Sequence, residues 1–313
     1  MLSRIAESLF WIGRYVERAD VTARILDVQT QILVEDPFVN EEESCRQLLS
    51  IMGLEYDGPL DQRALMNLMV YDVKSDASVV ATLAAARESA RRARETLSSE
   101  MWASINTTWR QVSTGRVRMM RRDAAFVWVR ERAAVISGIA DSTMSRDEGW
   151  HFLVLGRSLE RADMTARLLT TTALSGAPAG GWQSALRACG AYEAFLRTYR
   201  GVEADRDAAE FLLLDRLFPR SIMAALRDAE RCLEELEGGG QVGSVQRIGF
   251  ADEAQRLVGR ARADLEYRPF GEVLENLPTE MERLQVTCSE AATAVAARYF
   301  DTSEAITWAG GLS

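Results

Sequence analysis

One segment of this chain occurs twice, and this repeat constrains the fold more than any other feature of the sequence. Residues 13–26 read GRYVERADVTARIL and residues 156–169 read GRSLERADMTARLL, so ten of the fourteen positions are identical. The copies lie 143 residues apart, and the same offset aligns SVVATL at 78–83 with SIMAAL at 221–226. A repeat of this kind predicts an internal duplication.

The composition favours an all-α fold. Hydrophobic residues make up 47% of the 313 positions, which is enough for a substantial core, and there are only 6 prolines. Most windows lack the alternation that is typical of strands. We therefore expect a helical bundle built from two similar halves about a pseudo-twofold axis, with the motif helices at its centre. The first helical repeat is assigned to 1–143, the second, with insertions, to 144–300, and a flexible tail to 301–313, all within one compact unit.

Helical periodicity and capping signals predict two long helices that carry the repeated motif. The first is expected over 3–33 and the second from near Ser145, where Ser145 and Glu148 form a capping-box signature. The glycine-rich stretch at 238–244 is predicted to be the most flexible internal break. Further helices are predicted over 41–53, 60–72, 76–98, 122–140, 182–200, 205–216, 219–237, 249–267 and 279–299.

The first motif helix is apolar nearly all round, which is typical of a central helix. Its charged residues are then at least partly buried and need partners. Spacing supplies some of them: Arg14 and Glu17 are i,i+3 neighbours, Asp20 and Arg24 are i,i+4 neighbours, and the second copy repeats both pairs. Small residues in the two copies would allow the backbones to approach closely; these are Ala19, Thr22, Ala23, Ala162, Thr165 and Ala166.

If the two motif helices pack together, they gather two glutamates, two aspartates and up to six arginines. Three interpretations stay open. The charges form a network that fixes the register of the helices, or the arginine forks hold an anionic ligand, or Glu17 and Glu160 act in catalysis as acid/base groups or metal ligands. The candidate ligand-binding residues are Arg14, Arg18, Asp20, Arg24, Arg157, Arg161, Asp163 and Arg167.

Other classes of function find little support. His151 is the only histidine, which excludes a mechanism with two histidines in one subunit, and no Gly-rich phosphate loop, G-x-S-x-G or H-E-x-x-H motif is present. We expect no cofactor and no metal ion. A net charge of -9 argues against nucleic acid as a partner. The arginine-rich stretch at 110–132 is the local exception, interpreted as a solvated helix face, with contacts to phosphates, to an acidic protein or to the acidic half of this chain as alternatives.

The apolar stretches and cysteines suggest a cytoplasmic setting. No uninterrupted apolar run approaches the ~20 residues that cross a bilayer, so no membrane partner is expected. The 4 cysteines show no C-x-x-C pairing, and reduced thiols are expected.

The opening SRIAESLFWIGRYVERADVTARIL, with its second G-R-x-x-E-R-A-D copy, resembles the bacterial Alpha-E domain family, named for its helical content and a recurring Glu-Arg motif. The matching pairs are Glu17-Arg18 and Glu160-Arg161. The resemblance covers essentially the whole chain, including SSEMW at 98–102. It implies a setting in which members are encoded beside, or fused to, circularly permuted ATP-grasp proteins and transglutaminase-like proteases, a grouping proposed to make or modify peptide-like amide bonds.

Two functions follow from the resemblance together with the motif. In the favoured one, the chain is an accessory or scaffold protein of an ATP-grasp amide-ligase system that binds an anionic, peptide-like ligand at the doubled Arg/Glu motif. In the alternative, it is an enzyme of the same pathway that uses Glu17 and Glu160 as acid/base groups or metal ligands.

Overall fold

The computed structural model describes residues 1–35, 38–174, 181–200, 204–238 and 252–300. Within these ranges the chain forms α-helices and two π-helical segments and has no strand, which confirms the all-α prediction. The π-helical segments are Asn67–Tyr71 and Ala296–Phe300. The helices are α1 Ser3–Glu35, α2 Glu41–Ile51, α3 Gln62–Met66, α4 Val79–Arg92, α5 Ser99–Ser113, α6 Arg116–Met119, α7 Arg122–Thr143, α8 Glu148–Leu174, α9 Gly181–Ala188, α10 Tyr192–Thr198, α11 Asp205–Leu214, α12 Ile222–Leu236, α13 Glu253–Tyr267, α14 Phe270–Glu275 and α15 Leu277–Val295.

The two motif helices, α1 and α8, pack against each other at the centre of the molecule. They run in the same direction, because the N-terminal amino group of Met1 lies 2.8 Å from Glu148 at one end, while Arg161 reaches Glu17 further along. Both helices are buried on several sides, as their nearly continuous apolar character predicts. The central position expected for the motif helices is therefore confirmed.

Each motif helix is the centre of a similar set of four helices. In the first set, α1 packs on α4 and α7, and α5 packs on the same two helices. In the second, α8 packs on α12 and α15, and α13 packs on those two. The buried apolar side chains of both sets belong to one continuous core. Internal duplication predicts such a parallel, and the duplication itself stays a prediction, as does the division near residue 143, the last residue of α7.

The same serine N-cap begins α4 and α12. The Ser78 hydroxyl accepts a hydrogen bond from the amide three residues later and donates to the Asp72 carbonyl. Ser221 makes the matching bonds, with the Asp215 carbonyl as its acceptor. A serine N-cap satisfies an amide that the first helical turn leaves without a partner. These four residues are aligned by the 143-residue offset, so the repeat extends to the way the helices start.

Several boundaries differ from prediction: the helix expected over 182–200 is divided into α9 and α10, and α6 and α14 were not predicted. The helix expected over 76–98 is only α4, and residues 99–113 form α5, a helix that was not predicted, because Ser98 accepts a hydrogen bond from an amide of its first turn and begins a new helix. The second motif helix begins at Glu148, and the Asp147 carboxylate, 3.0 Å from the Gly149 amide, takes the capping role assigned to Ser145. The expected tail at 301–313 and most of the break at 238–244 lie outside the described residues.

Glycines mark the contact between the backbones of α1 and α8. A Cβ atom placed on Gly13 would lie 2.0 Å from the Leu153 carbonyl oxygen, and one on Gly156 would lie 2.0 Å from the Phe10 carbonyl oxygen. The small residues that were expected to allow this approach are buried, but the backbone-to-backbone contact occurs at these glycines, which open the two copies of the motif.

The peripheral helices exchange partners between the two halves. Helix α2 packs on α8, and α9 packs on α1. Both end in a left-handed glycine, Gly53 at φ +68° and Gly190 at φ +63°. A Cβ on Gly53 would lie 3.0 Å from Arg167, and one on Gly190 would lie 2.8 Å from Arg24. The end of α2 therefore lies against Arg167 of the second half, and the end of α9 lies against Arg24 of the first half.

Candidate functional site

The charged residues of the motif form two clusters where α1 and α8 meet. We call them the Glu17 cluster (Glu17, Asp20, Arg24, Arg161, Arg220) and the Glu160 cluster (Glu160, Asp163, Arg14, Arg18, Arg167). Each glutamate is bound by the motif arginine of the opposite helix, so the Glu-Arg pairs are reciprocal. The repeated motif thus joins the two central helices to each other.

In the Glu17 cluster, Arg161 approaches the carboxylate with a bidentate fork, Nε at 2.9 Å and Nη2 at 2.7 Å. Arg220 donates to Glu17 through Nη1 and to Asp20 through Nη2, so that it bridges the two acids. Arg24 donates its Nε to Asp20 at 3.0 Å. Glu17 itself is only 3% exposed. Both acids are therefore paired and almost removed from water.

In the Glu160 cluster, Arg18 donates Nε and Nη2 to the carboxylate, the latter at 3.0 Å. Arg14 adds its Nε at 2.7 Å, and its guanidinium also lies over the ring of Trp11. Glu160 is completely buried. Asp163 accepts from Arg167 Nε at 2.9 Å. The i,i+4 pairs of aspartate and arginine are thus confirmed in both motif copies.

The i,i+3 pairs expected within each helix are wrong. Arg14 binds Glu160 of the other helix instead of Glu17, and Arg157 lies 3.4 Å from Asp141 instead of binding Glu160. The reason is geometric: packing brings an arginine of the opposite helix to each glutamate in a position where its planar fork can face both carboxylate oxygens.

The electrostatic setting keeps both glutamates ionised. Burial alone raises the pKa of Glu17, but the charges of Arg161 and Arg220 outweigh burial and hold that pKa well below its ordinary value. Burial likewise opposes ionisation of Glu160, and Arg14 and Arg18 outweigh it and lower its pKa. A carboxylate in this state is a poor general base, because its oxygens already accept several charge-assisted hydrogen bonds.

The described residues offer no obvious metal centre. Among them, no group of three or more histidine, cysteine, aspartate or glutamate side chains is placed to hold a metal ion. The carboxylates of the motif are surrounded by guanidinium groups, which compete with a cation for the same oxygens.

The two clusters differ in two arginines. Arg14 binds Glu160, whereas its counterpart Arg157 pairs with Asp141 and does not join the Glu17 cluster. Arg220 lies just before α12, and the residue aligned with it in the first half is Ala77. Among the described residues, the Asp163 carboxylate therefore accepts hydrogen bonds from Arg167 alone, whereas Asp20 accepts from two arginines. Burial raises the pKa of Asp163 despite the hydrogen bond from Arg167. Sequence reasoning missed Arg220 because it lies outside the repeated motif and has no charged counterpart.

The candidate ligand-binding arginines differ in what they face. Arg14, Arg18 and Arg161 are taken up by the buried glutamates, and Arg24 lies between Asp20 and the cap of α9. Arg167 lines an open cavity of about 460 Å³ between α2, α8 and α15. Of the arginines of the two clusters, Arg167 is the one whose guanidinium borders this cavity.

The arginine-rich stretch at 110–132 spans the end of α5, α6 and much of α7. Arg130 is paired with Asp27 at 2.9 Å, and Arg118 lies over the ring of Tyr71. Several others are exposed to solvent, including Arg116 and Arg122. Part of this stretch is therefore neutralised by neighbours, as the interpretation of a solvated helix face predicts.

The fold and the site together define a class: an all-helical protein whose two central helices are joined by reciprocal, buried Glu-Arg pairs. The chain belongs to the Alpha-E family, because residues 1–300 match the model of a predicted alpha-helical domain with a conserved ER motif. In the described part of the chain, no helix combines the length and the apolar character needed to cross a membrane.

Related proteins occur in mycobacteria. The chain is 26% identical over 291 residues to uncharacterized protein Rv2567 of Mycobacterium tuberculosis (strain ATCC 25618 / H37Rv) and to uncharacterized protein Mb2597 of Mycobacterium bovis (strain ATCC BAA-935 / AF2122/97). Each match covers 83% of this chain and 33% of the relative, so the chain spans about a third of the length of these proteins. No solved structure matches the chain.

Proposed function

We propose that the chain is a non-catalytic accessory or scaffold protein of an ATP-grasp amide-ligase system that makes or modifies peptides. The observation that carries the non-catalytic part is the state of Glu17 and Glu160. Both are buried, ionised and bound by arginine forks from the opposite helix. The Glu-Arg motif therefore serves to hold two central helices in register, and the surface of the bundle is left to bind partners.

The proposed partners come from the family resemblance. An ATP-grasp ligase and a transglutaminase-like protease are the proteins with which Alpha-E members are grouped, and both fit a cytoplasmic setting in which ATP is available. The length of the mycobacterial relatives supports the same view, because two thirds of each relative lies outside the matched region. In those proteins the domain is one part of a longer chain.

The alternative, an enzyme that uses Glu17 or Glu160 for proton transfer, needs one of these carboxylates to release its arginines. The low pKa of both groups opposes this, since neither accepts a proton near neutral pH. Glu160→Gln provides the test. If the variant remains folded and the pathway retains its activity, Glu160 has no role as a base.

Co-expression with the ATP-grasp protein encoded nearest to this chain tests the accessory role. The complex is purified through a tag on one partner, and substrate-dependent ATP turnover is measured with and without this chain. We expect co-elution and faster turnover in its presence. Separate elution together with unchanged turnover would refute the accessory role and move attention to an independent function.

A further inference from the structure

The cavity beside Arg167 has the features of a binding site. It has a volume of about 460 Å³, and its walls come from α2, the C-terminal part of α8 and α15. Most of the residues that line it are polar, and they include two arginines, Arg46 and Arg167. Glu43 is the one acidic residue among the residues that line it, although the two arginines also have carboxylate partners behind the cavity wall, Glu42 and Asp163.

Arg167 is held in a fixed orientation. Its Nε donates to Asp163 at 2.9 Å, and its Nη1 lies 3.0 Å from the position that a Cβ on Gly53 would take. Within the described residues, the two terminal nitrogens of Arg167 have no hydrogen-bond acceptor. A guanidinium held at Nε, with its outer edge facing a cavity, is preorganised to bind an oxyanion with two parallel hydrogen bonds.

Arg46 supplies the second cation. Its guanidinium is anchored by Glu42, with Nη2 at 2.6 Å, and by the carbonyl oxygens of Tyr56 and Gly58. Nε also donates to Glu42, so all three nitrogens have partners that hold the side chain along the cavity wall, and Arg46 acts on a ligand mainly through its positive charge. Neutral donors from Gln47, Ser50 and Gln285 also line the space.

The matching arginine of the first motif copy has different surroundings. Arg24 binds Asp20 through Nε at 3.0 Å, as Arg167 binds Asp163. However, Asp20 is shared with Arg220, and Arg24 is not among the residues that line this cavity. The side chains of both arginines are partly exposed, but of the two only Arg167 lines this cavity.

From these contacts we propose that the cavity between α2, α8 and α15 binds an oxyanion, the carboxylate or phosphate group of a small ligand, through Arg167 and Arg46. The inference rests on the proposed accessory role, takes up the anionic, peptide-like ligand expected from the sequence, and assigns that ligand to the second motif copy alone.

Isothermal titration calorimetry with inorganic phosphate and with glutarate, at constant ionic strength set by chloride, tests the assignment on the full chain. The variants are Arg46→Gln and Arg167→Lys, with Arg24→Lys as the matched control. Lysine keeps a positive charge beside the buried aspartate but loses the planar fork. We expect saturable binding that weakens at least about tenfold in each cavity variant, the loss of one charge-assisted contact, and is unchanged in Arg24→Lys.

The two probes separate the ligand sources. Binding of glutarate alone indicates a carboxylate ligand, binding of phosphate alone indicates a phosphate ligand, and either supports the oxyanion site. Absence of saturable binding for both, or equal weakening in Arg24→Lys, overturns it. Circular dichroism checks that each variant is folded; if Arg167→Lys is not, the half-exposed Arg46 still provides the test. Co-elution with the ligase is measured separately, so an intact complex without oxyanion binding refutes the cavity alone.

Discussion

Glu17 shows how a buried charge can hold two helices together at a single residue. Its carboxylate satisfies Arg161 of the opposite helix and Arg220 of the loop before α12. Removing the charge leaves Arg161 without a carboxylate partner and Arg220 with Asp20 alone, which is the costly way to break a buried ion pair. We expect Glu17→Gln to lower the free energy of unfolding at pH 7 by about 3–5 kcal/mol, as measured by urea denaturation.

The same variant has a defined pH dependence. Because the pKa of Glu17 is lower in the folded state, the stability that it contributes is present above the unfolded-state pKa, near 4.5, and is lost as the pH falls towards the folded-state pKa. The difference between wild type and Glu17→Gln is therefore expected to shrink between pH 5 and 3, in denaturation curves at fixed ionic strength. A difference that stays constant over this range contradicts an ionised Glu17.

Asp163 and Asp20 occupy the same motif position, but we expect loss of their charge to affect the stability of the fold differently. The pKa of Asp163 is raised in the folded state, so its favourable contribution is present below the unfolded-state pKa and is lost as the pH rises through the folded-state pKa. We expect Asp163→Asn to leave stability at pH 7 unchanged or higher, because an amide oxygen still accepts from Arg167. Asp20→Asn should cost about 2–3 kcal/mol, since hydrogen bonds from two guanidinium groups are weakened.

Thermal melting of the two variants side by side decides this prediction. Equal losses of stability would mean that Arg220 adds nothing at Asp20. A larger loss in Asp163→Asn would mean that Asp163, and not Asp20, is the better stabilised carboxylate.

At this scale, the sequence predicts which residues are charged and buried, but not which of them pair. The i,i+4 pairs follow from helix geometry alone. The cross-helix forks depend on the distance and rotation between α1 and α8, which periodicity does not contain. Arg220 depends on a loop path, and no repeat or spacing marks it.

At the scale of elements, the close contact between α1 and α8 requires that Gly13 and Gly156 carry no side chain. Alanine at Gly13 or Gly156 would place a methyl group 2.0 Å from a carbonyl oxygen of the partner helix. We expect each substitution to destabilise the fold by about 3 kcal/mol or more, since the helices must move apart. Gly138 in α7 is the control, because a Cβ there meets open space, and Gly138→Ala should stabilise by about 0.5–1 kcal/mol through helix propensity.

Urea denaturation of the three glycine variants gives the comparison. If Gly13→Ala and Gly138→Ala behave alike, the close approach is relieved by small shifts and does not set the spacing of the helices.

The long helices could be predicted from sequence because their apolar period extends over many turns. The first motif helix was expected over 3–33 and ends at Glu35. Helix α5 was missed, although Ser98 is a good N-cap residue, because no glycine or proline separates it from α4. The repeated glycines were visible as well, and a glycine inside a helical pattern is itself a signal of close packing.

At the scale of the whole molecule, the four cysteines report on the integrity of the core. All four are free and buried, and burial raises the pKa of the thiols of Cys45 and Cys189 to about 11 and that of Cys232 to about 12. A protonated, buried thiol is inert. We expect Ellman's reagent at pH 8 to label no cysteine in the folded protein and all four in urea. Rapid labelling of one cysteine under native conditions would reveal local opening of its helix.

The reciprocal Glu-Arg pairs have a consequence for how this molecule relates to assemblies of separate subunits. In an isologous interface, residue i of one copy contacts residue j of the other, and j contacts i in return. Glu17 with Arg161 and Glu160 with Arg18 follow this rule within a single chain. In an assembly of identical subunits, every substitution appears on both sides of such an interface. Two halves of one chain can instead differ in sequence. Arg220, which the 143-residue offset aligns with Ala77, is a difference of this kind.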